Sequence, residues 1–377
     1  MNVITYLTRI VFELGAIRGL ADELTQLGVS RPLIVTDGGI VAAGLLDTVI
    51  EAGGLPKDTP IFSDTPQNPT EAAARAARDR LQEAGCDSII ALGGGSPLDL
   101  AKAAALLATH PEPLSQYAAI HGGIDRIGAG QPPVIAVPTT AGTGSEVGRA
   151  ALVTLDDGRK LGFIAPHLIP NVAICDPELT LGLPPGLTAA TGMDALTHCI
   201  ETYLSPRVNP PAEAIALDGL SRAARWLRRA VEDGSDLEAR YQMMMAALEG
   251  GLTFQKGLGA VHSMSHALGG RSTNPLHHGT LNAVILPHVL RFNEAHVGGK
   301  YARLAEAMDL APKADLAAAI EGLNRDLGLP ASLSAMGVSR EEVAPLAQWA
   351  FEDHSTPTNP RAATAEDFAT LFARALA

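Results

Sequence analysis

The sequence predicts an α/β domain over residues 1–182 followed by an all-α domain over residues 183–377. Three observations predict it. Short β-branched runs alternate with Ala/Leu-rich stretches through the first half. A triple glycine joins one of these runs to a helix. From about Pro185 onward the pattern is helical alone. Strands separated by crossover helices pair in parallel, so the first half reads as a parallel sheet covered by helices.

In chain order, Leu33–Thr36 is the first strand and Ala43–Ala52 the helix after it. Pro60–Phe62 and Thr70–Ala84 form the second strand and helix. Ser88–Leu92 and Pro97–Thr109 form the third pair, and Pro133–Val137 is a fourth strand. Ala150–Thr154 and Lys160–Ile164 flank Asp156-Asp157-Gly158, a hairpin turn signal. Val172–Cys175 is the last strand, and the domain boundary falls near Leu181 to Pro185. The run Met243-Met244-Met245 sits in a helical pattern and reads as core.

The composition bounds the function. A chain of 377 residues with 46% hydrophobic and 18% charged residues is an ordinary globular protein with room for two cores. Its net charge of −13 argues against a nucleic-acid partner, although a local pocket can still take a small anion. Cys86, Cys175 and Cys199 are far apart and form no CxxC, which fits reduced thiols. The start, Met1 to Arg9, lacks a signal-peptide pattern, and no apolar run approaches the roughly 20 residues of a membrane span. The expectation is a cytoplasmic enzyme with a small-molecule substrate and no membrane partner.

Gly93-Gly94-Gly95-Ser96-Pro97 joins the third strand to its helix. Ser96 suits an N-cap and Pro97 the first helical position. Glycines let a backbone approach a ligand closely, and free N–H groups at a helix start favour a phosphate. A plain tight turn explains the same residues. Asp37 follows the first strand, where a carboxylate can meet a ribose hydroxyl and so favour NAD over NADP. A helix cap is the equal alternative. Gly142-Thr143-Gly144-Ser145-Glu146-Val147-Gly148 resembles a dinucleotide fingerprint, but its third glycine is one residue late and a hairpin follows. Thr139, Thr140 and Thr143 read instead as hydroxyl groups lining a pocket at a strand end.

Two His-bearing windows carry the chemistry. Asp194 and His198 are spaced i, i+4, and so are His262 and His266. On a helix that spacing places both side chains on one face, about 5–6 Å apart at Cβ. His277 and His278 follow just before a helix from Leu281 to Phe292, and spacing alone does not choose between them. One Asp oxygen and three His nitrogens suit a divalent cation such as Fe²⁺ or Zn²⁺, with room left for a substrate oxygen. Such a cation acidifies an alcohol or polarises a carbonyl, and a nicotinamide nearby exchanges hydride with the carbon. His266, one turn from His262, is placed to relay the alcohol proton.

The glycine loop, the run Ala189 to His198, the His262/His266 window and His278-Gly279-Thr280-Leu281-Asn282-Ala283 together resemble iron-containing (group III) alcohol dehydrogenases. The resemblance covers nearly the whole chain. It implies a Rossmann-like N-terminal domain and a helical C-terminal domain in a dehydroquinate synthase-like fold, with NAD and Fe²⁺ (or Zn²⁺) as cofactors, in a homodimer. Position by position it implies Asp194, His198, His262 and His278 as metal ligands. His278 is preferred to His277 because the family's last ligand directly precedes a glycine. It also places His266 near the nicotinamide. Asp37, Asn68, Gly93, Gly94, Gly95, Ser96, Thr139, Thr140, Thr143 and Lys160 fall at cofactor contacts, although Lys160 by itself reads as a solvated hairpin lysine. Within the family, Tyr6-Leu7-Thr8, Asp156 to Phe163 and Leu276 to Ala283 are similar to 4-hydroxybutyrate dehydrogenases. That implies a short ω-hydroxy acid oxidised to a semialdehyde, whose carboxylate needs a cationic anchor such as Arg149, Arg271 or His277. The alternatives are another short-chain alcohol or diol dehydrogenase, a lyase of the dehydroquinate synthase type, and a non-catalytic NAD- or metal-binding protein. The few lysines of the second half speak against the lyase.

Overall fold

A computed structural model describes residues 4, 6, 8–271 and 275–377. Most of the segment Met1 to Leu7, including Leu7 itself, therefore lies outside the described residues. The chain divides into two compact units. One comprises residues 7–140 and 145–182, the other residues 1–6, 141–144 and 183–377.

The first unit is built on a six-stranded, all-parallel sheet. Its strands are β1 (Arg9–Phe12), β2 (Pro32–Val35), β3 (Ile61–Phe62), β4 (Ser88–Gly93), β5 (Val134–Pro138) and, after a separate antiparallel hairpin of β6 (Ala150–Thr154) and β7 (Lys160–Ile164), β8 (Val172–Cys175). The spatial order is β1-β8-β5-β4-β2-β3. Successive strand residues alternate between the two faces. Leu33, Val35, Ile89 and Ala91 pack into one apolar cluster, while Ile34, Ile90 and Leu92 pack into the other. Burial on both faces explains why these strands read as continuous apolar runs. The helices are α1 (Leu20–Leu27), α2 (Gly38–Ala42), α3 (Leu45–Ala52), α4 (Glu71–Glu83) and α5 (Gly95–Leu107).

The α/β unit departs from the sequence pattern at three places. The first strand is β1, not Leu33–Thr36; it is a four-residue edge strand pairing only β8, too short and too exposed to stand out. The stretch after β2 is two helices broken at Gly44, whose φ of 76° is open to glycine but strained for a side chain. The helix after β4 starts at Gly95 with Gly94 as N-cap, so Ser96 and Pro97 lie inside its first turn. Ser96 Oγ instead donates to the Gln67 carbonyl.

The second unit is helical, and among the described residues no strand follows β8. Its helices are α6 (Pro185–Leu204), α7 (Pro210–Glu232), α8 (Leu237–Leu252), α9 (Ala260–Gly269), α10 (His278–Asn293), α11 (Lys300–Ala307), α12 (Leu316–Asp326), α13 (Val343–Glu352) and α14 (Ala365–Ala375). Helix α10 begins three residues earlier than the Leu281 start, which puts His278 in its first turn. Met243 and Met244 are buried in α8. Among the described residues no helix is long and apolar enough to cross a membrane.

Candidate active site

Helix α6 is buried along nearly its whole length and carries Asp194 and His198 one turn apart. Its carbonyl end is held by two cations. Lys256 Nζ donates to the carbonyls of Thr202, Tyr203 and Ser205 at 2.9, 3.1 and 2.6 Å, and Lys300 Nζ donates to that of Tyr203 at 2.8 Å. Positive charge suits that end of the helix dipole. Helix α9 brings His262 and His266, and α10 brings His278. Gly279 lets α10 approach α6 backbone to backbone, because a Cβ there would run into the Ala190 carbonyl.

These elements converge. One ligand atom each from Asp194, His198, His262 and His278 lies within 4.8 Å of the others. From Asp194 Oδ1 the three imidazole Nε2 atoms stand at 3.6 Å (His198), 4.0 Å (His262) and 3.7 Å (His278). A tetrahedral cation with bonds of about 2.1 Å separates its ligands by about 3.4 Å, so the four groups fit a small divalent ion with slight contraction. Burial pushes the His198 imidazole down to about 4, which keeps it a neutral donor at pH 7. Only His278, with 24% of its side chain exposed, gives the cluster an open edge.

Three further groups surround the cluster. Glu201 Oε2 accepts the Nδ1 hydrogen of His262 at 2.6 Å, which fixes the tautomer with its lone pair on Nε2. The same carboxylate accepts the backbone N–H groups of Gly259 and Val261. His266 Nδ1 pairs with Asp353 Oδ2 at 3.0 Å, and His354 stacks on the His266 ring. Asn282 Nδ2 lies 2.7 Å from Asp194 Oδ1 and 3.2 Å from both His262 Nε2 and His278 Nε2. Of these groups, the sequence points to His266 alone. Glu201 sits one turn beyond His198 on the same helix face and was legible as its helical neighbour. Asp353, 87 residues from His266, carries no local signal.

His277 is separate from the cluster. It is the N-cap of α10, its Nδ1 accepting from Thr280 N at 3.4 Å. Arg271 is paired with Glu342 at 2.9 Å, but its Nη1 is buried without a hydrogen-bond partner among the described residues.

In the α/β unit, the carboxyl ends of β2 and β4 diverge. The chain leaves β2 toward β3 on one side and leaves β4 toward β5 on the other. Crevices at such a switch point take dinucleotides. Asp37 follows β2. Its Oδ1 caps α2, accepting from Gly39 and Ile40, which leaves Oδ2 outside the cap. Both readings of Asp37 thus remain compatible with one position. Gly93 closes β4 and Gly94 to Ser96 follow it, where no side chain caps the first turn of α5. A Cβ on Gly94 would press on Thr140 at 3.3 Å. Thr139 Oγ1 and Asn68 Nδ2 are buried with no hydrogen-bond partner among the described residues, and Lys160 Nζ donates to Asn68 Oδ1 at 3.0 Å. Unspent polar groups beside bare helix N–H groups fit a polar, phosphate-bearing ligand. Thr143 belongs to the 141–144 segment of the helical unit.

Known proteins resemble the chain along its whole length. The model for iron-containing alcohol dehydrogenases matches residues 8–177, and the one for the C-terminal part of the Fe-containing alcohol dehydrogenase family matches residues 188–376. The chain is 52% identical over the full length of both chains to a 4-hydroxybutyrate dehydrogenase of Cupriavidus necator. It is 38% identical to an NAD-dependent methanol dehydrogenase of Bacillus methanolicus, covering 96% of each. The crystal structure of a 1,3-propanediol oxidoreductase superposes with a TM-score of 0.92 at 36% identity, covering 100% of both chains. With both of its units matched, the chain belongs to the iron-containing alcohol dehydrogenase family.

Proposed function

We propose that this oxidoreductase interconverts a short ω-hydroxy acid, such as 4-hydroxybutyrate, and its semialdehyde, with NAD as hydride carrier and Fe²⁺ or Zn²⁺ bound by Asp194, His198, His262 and His278. The convergence of those four ligand atoms is the observation that carries the reading. A cation held there would supply Lewis acidity to a substrate oxygen, and bound NAD would supply the hydride chemistry. The protein's own groups do the rest. Glu201 holds His262 in the ligating tautomer. His266, oriented by Asp353, is the group to which the substrate hydroxyl proton passes. Gly93, Gly94, Gly95 and Ser96 would hold the pyrophosphate, Asp37 the ribose, and Asn68, Thr139, Thr140, Thr143 and Lys160 would complete the coenzyme contacts.

The full-length likeness to a 4-hydroxybutyrate dehydrogenase supports the substrate class. Among the cationic candidates for its carboxylate, the buried Nη1 of Arg271 favours that residue, since an unpaired guanidinium donor gains most from an anion. The unpaired cysteines fit a cytoplasmic protein, and the family resemblance points to a homodimer.

The test is NADH formation across ω-hydroxy acids of increasing length and neutral diols, with defined metal. Chelation should abolish turnover and Fe²⁺ or Zn²⁺ restore it. Arg271→Ala should raise KM for the hydroxy acid while leaving 1,3-propanediol unaffected. Equal turnover of acid and diol by the native protein would favour a diol dehydrogenase, and no turnover of either would reject the assignment.

A further inference from the structure

Asn282 lies among the proposed ligands without being one of them. It is fully buried on α10, one turn after His278. Its Nδ2 faces Asp194 Oδ1 at 2.7 Å and the Nε2 atoms of His262 and His278 at 3.2 Å each, while its Oδ1 has no hydrogen-bond partner among the described residues. The orientation follows from charge. Turning the amide over would press Oδ1 against a carboxylate and an imidazole lone pair. His262 Nε2 carries such a lone pair, because its Nδ1 hydrogen is committed to Glu201. Four acceptor atoms gathered within 4.8 Å repel one another unless something donates into their midst.

We propose that Asn282 is the stand-in for the cation. Its two amide hydrogens are shared, in the metal-free protein, among three of the four lone pairs the metal would take, those of Asp194, His262 and His278, and they are displaced when the metal binds. The inference rests on the four-ligand reading above and adds a residue that holds the ligands together before the ion arrives. It makes Asn282 a positioning residue with an unusual sign, since it stabilises the metal-free state at the expense of the loaded one.

The probe is Zn²⁺, with affinity read by competition against a chromophoric chelator and thermal midpoints read with and without metal. Asn282→Leu keeps the volume and removes the donor. It should lower the midpoint of the metal-free protein, leave that of the loaded protein nearly unchanged, and tighten Zn²⁺ binding by about tenfold, the worth of one charge-assisted hydrogen bond lost from the free state only. Asn282→Ser, which keeps one donor hydrogen in a smaller side chain, should fall between. Weaker Zn²⁺ binding by both variants, or an equal loss of midpoint with and without metal, overturns the inference alone. A native protein that takes up no Zn²⁺ overturns the metal reading and this inference with it.

Discussion

Glu201 and His262 meet at 2.6 Å inside the helical unit, and the ring so held turns its other nitrogen to within 4.0 Å of Asp194 Oδ1. The carboxylate fixes tautomer and ring plane together, and its charge raises the basicity of the lone pair that faces the ion. Glu201→Gln keeps the shape but leaves one acceptor oxygen where the carboxylate uses Oε2 for Gly259 and Oε1 for Val261, so it should fold with some loss of stability. It should weaken Zn²⁺ binding by about 10- to 100-fold, the usual effect of losing such a partner. Equilibrium titration checks it, and an unchanged affinity would remove Glu201 from the centre.

The adjacent histidines divide the work at the start of α10. His278→Ala should lose the metal and the activity. His277→Ala should retain both and lose a helix cap, at about 1 kcal/mol. Metal content after dialysis, read beside the thermal midpoint, separates the two variants. Metal lost from His277→Ala and kept in His278→Ala would reverse the assignment.

Asp37 combines a cap with an available oxygen. Asp37→Ser keeps a capping oxygen while removing the charge that repels a 2′-phosphate. The ratio of kcat/KM for NADP to that for NAD should rise by at least about tenfold, given what one like charge costs at contact distance. An unchanged ratio would leave Asp37 with the cap as its sole task.

Acid should cost the metal-free protein the stability held in its buried neutral histidines. Burial pushes both His198 and His266 down to about 4, so the folded state keeps these rings neutral where an unfolded imidazole, near 6.5, already takes a proton. Between those values the unfolded chain binds more protons, and stability falls as pH falls from 6.5 toward 4. His354 works in the opposite sense: despite its burial, Asp353 holds it above the ordinary imidazole value. Glu146 and Glu249, pushed up by burial to about 7 and about 8, also work in the opposite sense, so the imidazole share is read as the urea midpoint of the chelator-treated native protein relative to that of its His198→Gln variant, which should drop between pH 7 and pH 5. A flat difference would mean the ring is not buried as a neutral group.

Much of this arrangement was legible in the residues because helical periodicity is local. Asp194 with His198 and His262 with His266 announce their shared faces from four positions apart. Gly93 to Gly95 announce a close turn for the same reason. What stayed hidden was either short or remote. Strand β1 has four residues and one neighbour, and the bonds of Asp353 to His266 and Asn282 to Asp194 each span more than eighty residues. Ser96 beside Pro97 has the composition of a cap, yet the turn takes Gly94, the residue without a side chain two places earlier. The choice of His278 over His277 came from the family pattern, and the structure supplies its physical basis in the capping bond of His277.

The bare main-chain meeting of Gly279 with Ala190 has an implication for redesign. Where two rods touch without side chains between them, their spacing is set by peptide atoms, and neither a larger nor a smaller residue nearby can reset it. The distance between the Asp194 and His278 anchors is thereby insulated from the lining around them. An engineer seeking a different alcohol can recut that lining freely, provided position 279 is left alone.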